Sequence, residues 1–146
     1  MKLRVPLLPR SVRWAAVLAV AAFIFYASIL GSPPETALDD LTFSLIPLDK
    51  WRHFLAYAAF GGALAYATTN WNVERRVLAG GVFATVVLYG IGIEVGQSQI
   101  PERYFSLGDA YANALGGVLV LPYYLLQPYL SFTPLRSWLQ SVAGSS

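Results

Sequence analysis

The stretch VLAGGVFATVVLYGIGIEVGQ, residues 77–97, decides the fold. From Val77 to Ile93 it carries no charge, and at about 1.5 Å of rise per residue a helix of this length crosses a hydrocarbon core of about 30 Å. It then ends on Glu94 and Gln97, polar groups one turn apart where the apolar run gives out. Three further apolar blocks surround it, so the chain reads as all-α: a bundle of four transmembrane helices in one domain over residues 1–146. The expected spans are about 14–30, 51–69, 77–95 and 109–126. The composition agrees, with 56% hydrophobic and 12% charged residues, against about 25% charged in soluble domains.

The first block follows Lys2, Arg4, Arg10 and Arg13, as the core of a signal peptide would. Its length and its exit through Ser28-Ile29-Leu30-Gly31, which lacks a small-x-small pattern, predict a retained helix instead. Cysteine is absent, which excludes disulfides, thiolate catalysis and cysteine-ligated metals. The net charge of +2 and pI near 9.0 come from short flanks of apolar blocks, so they point to membrane topology and not to nucleic acid. Lys2, Arg4, Arg10, Arg13, Arg75, Arg76 and Arg136 fall on one side, and Lys50, Arg52 and Arg103 on the other. This bias predicts a multi-pass protein of the cell membrane with both termini cytoplasmic. Gly31 to Pro47, with Glu35, Asp39 and Asp40, then forms an irregular outer loop.

Trp14, Trp51 and Trp71 lie at span ends, where indole rings favour the headgroup level. The pairs Gly92/Gly96 and Ala112/Gly116 place small residues one turn apart, as close helix packing requires. Pro122 is expected to bend the fourth helix. Leu135, Trp138, Leu139 and Val142 follow the spacing of a short interfacial helix.

The polar residues gather at one predicted depth. Lys50, His53 and Tyr57 share a face of the second helix, Glu94 and Gln97 close the third, Asp109 and Asn113 open the fourth, and Arg103 lies in the connection between those two. They can converge on one outer pocket. Each has a plainer reading: Asp49 as an N-cap, Ser106-x-x-Asp109 as a capping box, Lys50, Arg52 and Arg103 as headgroup-seeking cations, and His53 as a packing residue. Glu94 and Asn113 lie deeper, where unpaired polar groups are costly.

Asp49-Lys50-x-x-His53-x-x-x-Tyr57, then Glu94-x-x-Gln97, then Pro101-x-Arg103-x-x-Ser106-x-x-Asp109-x-x-x-Asn113-x-x-Gly116 resembles the VanZ-like family of small polytopic membrane proteins. The likeness runs through the last three spans. It implies a membrane domain named for a member linked to low-level teicoplanin resistance, without an established reaction.

Two function classes follow. The first is engagement of an anionic membrane lipid or lipid-linked envelope precursor by Lys50, Tyr57, Gln97, Arg103 and Asn113. If chemistry occurs there, His53 is the acid–base, and Glu94 or Asp109 its orienter or base. The second is a non-enzymatic scaffold in which the cluster locks the helices together. Transport would need a homo-oligomer of so few spans. Metal binding through His53, Glu94 and Asp109 ranks last among the alternatives, because one histidine with hard oxygen ligands has no recognisable zinc spacing, and no metal or other cofactor is expected.

Overall fold

A computed structural model describes residues 2–31, 48–101 and 103–143. The expected loop over Gly31–Pro47, apart from Gly31 itself, lies outside them, as does the side chain of Val142. The described chain is mostly helical: α1 (Arg10–Phe25) runs on through a wider π turn at Tyr26–Leu30, and α2 (Leu48–Ala67), α3 (Arg75–Gln97), α4 (Leu107–Val118) and α5 (Val120–Leu126) follow. A short helix, α6 (Leu135–Ala143), ends the described chain. Two helical stretches, Arg10–Leu30 and Arg75–Gln97, are long and apolar enough to cross a membrane.

The helix α2 is central and packs against α1, α3, α4 and α5. Tyr57, Phe60 and Leu64 from α2 meet Val82 and Val86 from α3, Val17 and Ile24 from α1, and Val120 and Tyr124 from α5 in a single buried core. The approach to α4 is tight at Gly116: a Cβ built there would lie 2.3 Å from the Phe54 carbonyl oxygen and 3.0 Å from the Ala58 nitrogen. Only a residue without a side chain lets the two backbones approach this far.

The fourth apolar block is two helices and not one. Pro122 has no N–H to give to the carbonyl of Val118, and its ring crowds that carbonyl, so α4 stops there. Leu119 turns tighter, donating to Gly116 O at 3.2 Å, before α5 begins.

A second difference is a pair of parallel strands, which hydrophobic periodicity gave no reason to expect. β1 (Leu3–Leu7) pairs with β2 (Leu130–Pro134), from Leu3 opposite Leu130 to Leu7 opposite Pro134. The two ends of the described chain therefore meet at the end of the bundle where α2 finishes. Tyr66 anchors β1 there, its hydroxyl donating to Pro6 O at 2.8 Å and accepting from Leu8 N at 3.0 Å.

Arg13 is at the same end and is 3% exposed. Its side chain does not reach toward solvent. Its guanidinium donates to Tyr66 O at 3.1 Å, Ala67 O at 2.9 Å and Asn70 Oδ1 at 2.9 Å. These include carbonyls of the last turn of α2, which lack partners within the helix and carry partial negative charge.

Candidate functional site

At the opposite end, the start of α2, the end of α3 and the start of α4 bring five of the sequence-predicted residues together. On α2, Lys50 and His53 lie one turn apart. Lys50 Nζ donates to Asp109 Oδ1 at 2.6 Å and to Asp49 Oδ2 at 2.8 Å. Asp49 is in the first turn of α2, where a carboxylate favours the helix dipole, and not at its N-cap. Burial raises its pKa, but the hydrogen bond and charge of Lys50 outweigh that and leave it below its ordinary value.

Helix α4 begins as the capping pattern predicted, but only in part. Asp109 N donates to the Ser106 hydroxyl at 3.2 Å. The reciprocal bond is made by another helix: Ser106 N donates to Glu94 Oε2 of α3 at 3.3 Å. The carboxylate of Asp109 is thereby left for Lys50 and for His53, whose Nε2 is 3.8 Å from Asp109 Oδ1.

Glu94 is 0% exposed and Asn113 1%. His53 Nδ1 lies 2.9 Å from Asn113 Oδ1 and 4.0 Å from Glu94 Oε1. An amide oxygen only accepts, so this contact is a hydrogen bond in the tautomer that carries its proton on Nδ1, which leaves the Nε2 lone pair toward Asp109; the other tautomer directs Nε2–H to that carboxylate. Among the described residues, Glu94 Oε1, Asn113 Nδ2 and the Tyr57 hydroxyl are buried without a hydrogen-bond partner. Gly90 makes this crowding possible, since a Cβ there would lie 3.1 Å from Asn113 Cβ and 3.1 Å from Tyr57 Cε1.

Gln97 and Arg103 do not join that cluster. They bind the end of α1: Gln97 Nε2 donates to Ser28 O at 3.0 Å, and Arg103 donates to Ser28 O and, at 2.9 Å, to Gly31 O. The expected single pocket is thus two adjoining sites that share His53. One is the buried cluster of Lys50, His53, Glu94, Asp109 and Asn113. The other is a cleft of about 270 Å³ between α1 and α2, lined by Phe23, Ile24, Ala27 and Ala56 together with Asp49, Arg52, His53, Tyr57, Gln97 and Arg103.

Arg52 is the member of that cleft to which sequence reasoning gave no functional role. It is exposed, and among the described residues it has no hydrogen bond or ion pair. Its signal was spacing: it precedes His53 directly and lies one turn from Ala56, which turns it to the α1 side of α2, away from Asp109. Lys50, by contrast, is already neutralised by two carboxylates. No protein-family model, curated protein or solved structure matches the chain.

Proposed function

We propose that the chain is an integral membrane protein of the VanZ-like kind, which engages an anionic lipid or a lipid-linked envelope precursor in the cleft between α1 and α2. The observation that carries this reading is the cleft's division into apolar walls, Phe23, Ile24, Ala27 and Ala56, and a polar rim with two arginines. An acyl chain suits the first and a phosphate the second. Among the described residues Arg52 makes no hydrogen bond, and Arg103 has five N–H groups, more than the bonds it gives to Ser28 and Gly31.

In this reading α2 and the α4–α5 pair cross the bilayer with α1 and α3, and both termini are cytoplasmic. Large apolar side chains that face outward on every one of these helices support it, among them Leu18, Leu55, Leu88, Leu115 and Leu125. Leu88 is 68% exposed and Leu125 71%, a surface that hydrocarbon accommodates and water does not. The polar end then faces outward from the cell. His53, at the boundary of cleft and cluster, is the group placed for acid–base work on a bound headgroup, with Asp109 beside its Nε2.

The test is lipid retention. Protein released from nanodiscs of mixed phosphatidylglycerol and phosphatidylcholine should carry phosphatidylglycerol preferentially by native mass spectrometry. Arg52→Gln, which disturbs no hydrogen bond among the described residues, should abolish the preference. Equal retention of the two lipids by the wild type refutes the proposal.

The bonds that join helices favour a second reading, an architectural lock. Lys50–Asp109 and His53–Asn113 tie α2 to α4, Ser106–Glu94 ties α4 to α3, and Gln97 and Arg103 tie the end of α3 and its connection to α1. At roughly 0.6–2 kcal/mol each in a membrane, they would give a scaffold protein its rigidity. That reading requires Arg52→Gln to be without effect.

A further inference from the structure

The lock leaves one of its own members unexplained. Glu94 is 0% exposed, yet only one of its oxygens is used, and Oε1 faces the cluster without a hydrogen-bond partner among the described residues. A buried carboxylate oxygen is costly to leave so. Near it is an imidazole whose Nδ1 lies 2.9 Å from the Asn113 amide oxygen and whose Nε2 lies 3.8 Å from a second carboxylate, that of Asp109. One ligand atom from each of His53, Glu94 and Asp109 lies within 4.8 Å of the other two.

We propose that His53 Nε2, Glu94 Oε1 and a carboxylate oxygen of Asp109 form a site for a divalent first-row metal ion such as Zn²⁺ or Mn²⁺. The donor set of one imidazole and two carboxylates suits these ions, and three protein ligands leave positions open for water or for a ligand's oxygen. The hydrogen bond from the far ring nitrogen to Asn113 Oδ1 is the outer support that metal-binding histidines usually have. Charge also balances: two carboxylates meet the ion, while Lys50 keeps Asp49, 2.8 Å away, when Asp109 turns to the metal. Lys50 and the ion therefore compete for Asp109. The site does not depend on a lipid in the neighbouring cleft.

Because His53 is the chain's one histidine, the test is spectroscopically clean. Tag-free protein in nanodiscs, labelled with ¹⁵N-histidine and stripped with chelator, is titrated with zinc chloride. The Nε2 resonance should shift at one ion per chain. Glu94→Gln and Asp109→Asn should each weaken binding by at least the roughly ten- to hundredfold that loss of even an outer partner costs. Lys50→Met should tighten it, a gain that misfolding cannot imitate. An unmoved resonance at millimolar zinc overturns the proposal. So does unchanged affinity in folded Glu94→Gln, which would mean that the imidazole binds alone. If neither carboxylate variant folds, Lys50→Met decides: tighter binding upholds the site, and unchanged or weaker binding rejects it.

Discussion

Replacing Gly116 by alanine tests how closely α2 and α4 must approach. The new Cβ would stand 2.3 Å from Phe54 O, 3.0 Å from Ala58 N and 3.2 Å from Phe54 C. A carbon and a carbonyl oxygen rest at about 3.3–3.6 Å even when attracted, so the helices must separate by roughly 1 Å. No side-chain rotation relieves this, because the atoms struck belong to backbone. Overpacking of a core costs about 1–3 kcal/mol, and backbone collision places this variant at the upper end. At about 2–4 °C per kcal/mol for a domain of this size, the midpoint of thermal unfolding in nanodiscs should fall by roughly 6–12 °C. Gly62→Ala is the control, since a Cβ at Gly62 meets nothing within 4 Å and alanine in mid-helix is favoured by about 0.5–1 kcal/mol. Gly116 is one turn from Asn113, so the ¹⁵N resonances of His53 should also shift as its bond to Asn113 lengthens. A Gly116→Ala protein as stable as the Gly62→Ala control refutes the reasoning.

Arg13→Met should lower stability by about 3 kcal/mol in the same assay, since hydrogen bonds to a charged group are each worth about 1.5–3 kcal/mol; Arg13→Lys should recover only part, and equal stability of Arg13→Met and wild type would refute the capping role. Tyr57→Phe removes a buried hydroxyl that has no hydrogen-bond partner among the described residues, and should leave stability unchanged or raise it by about 1 kcal/mol; a clear loss would mean that the hydroxyl is bonded. Asp49 has a lowered pKa and Lys50 a raised one, burial opposing both ion-pair partners and being outweighed. Their pairing therefore stabilises above the unfolded carboxylate's pKa, is lost as pH falls through the lower folded value, and is lost at the alkaline end only as pH rises through the raised lysine value. Asp49→Asn should remove the acid-side loss from the unfolding profile and leave the neutral range flat, and an unaltered acid limb would refute the assignment.

The positions of α1, α2 and α3 were legible because each is a long apolar run, and burial of apolar surface dominates where helices begin and end. The break at Leu119 was half legible: Pro122 signalled a disturbance, but the sequence does not say whether a helix bends or stops. Ser106 was readable as a cap, since capping is local. Glu94 taking the reciprocal bond was not, because that contact depends on how α3 and α4 pack. Arg13, Gln97 and Arg103 escaped for the same reason. Each satisfies carbonyls of a helix distant in sequence, and a basic side chain has the same appearance in a sequence whether it meets a headgroup or a helix end. The gathering of Lys50, His53, Glu94, Asp109 and Asn113 could be anticipated from their common place at the ends of apolar runs, whereas the separation of Gln97 and Arg103 from them rests on where α1 ends. The strands were invisible, because five-residue segments at opposite ends of a chain carry no mutual signal.

Those strands give the protein a defined order of completion. β1 is made before every helix from α1 to α5, and its partner β2 only after them. In the interval β1 has Tyr66 to hold Pro6 and Leu8, so it is tethered as soon as α2 is in place. Pairing with β2 is then the closing event, one that joins the segment before α1 to the segment after α5, so that neither strand can fray without opening the other.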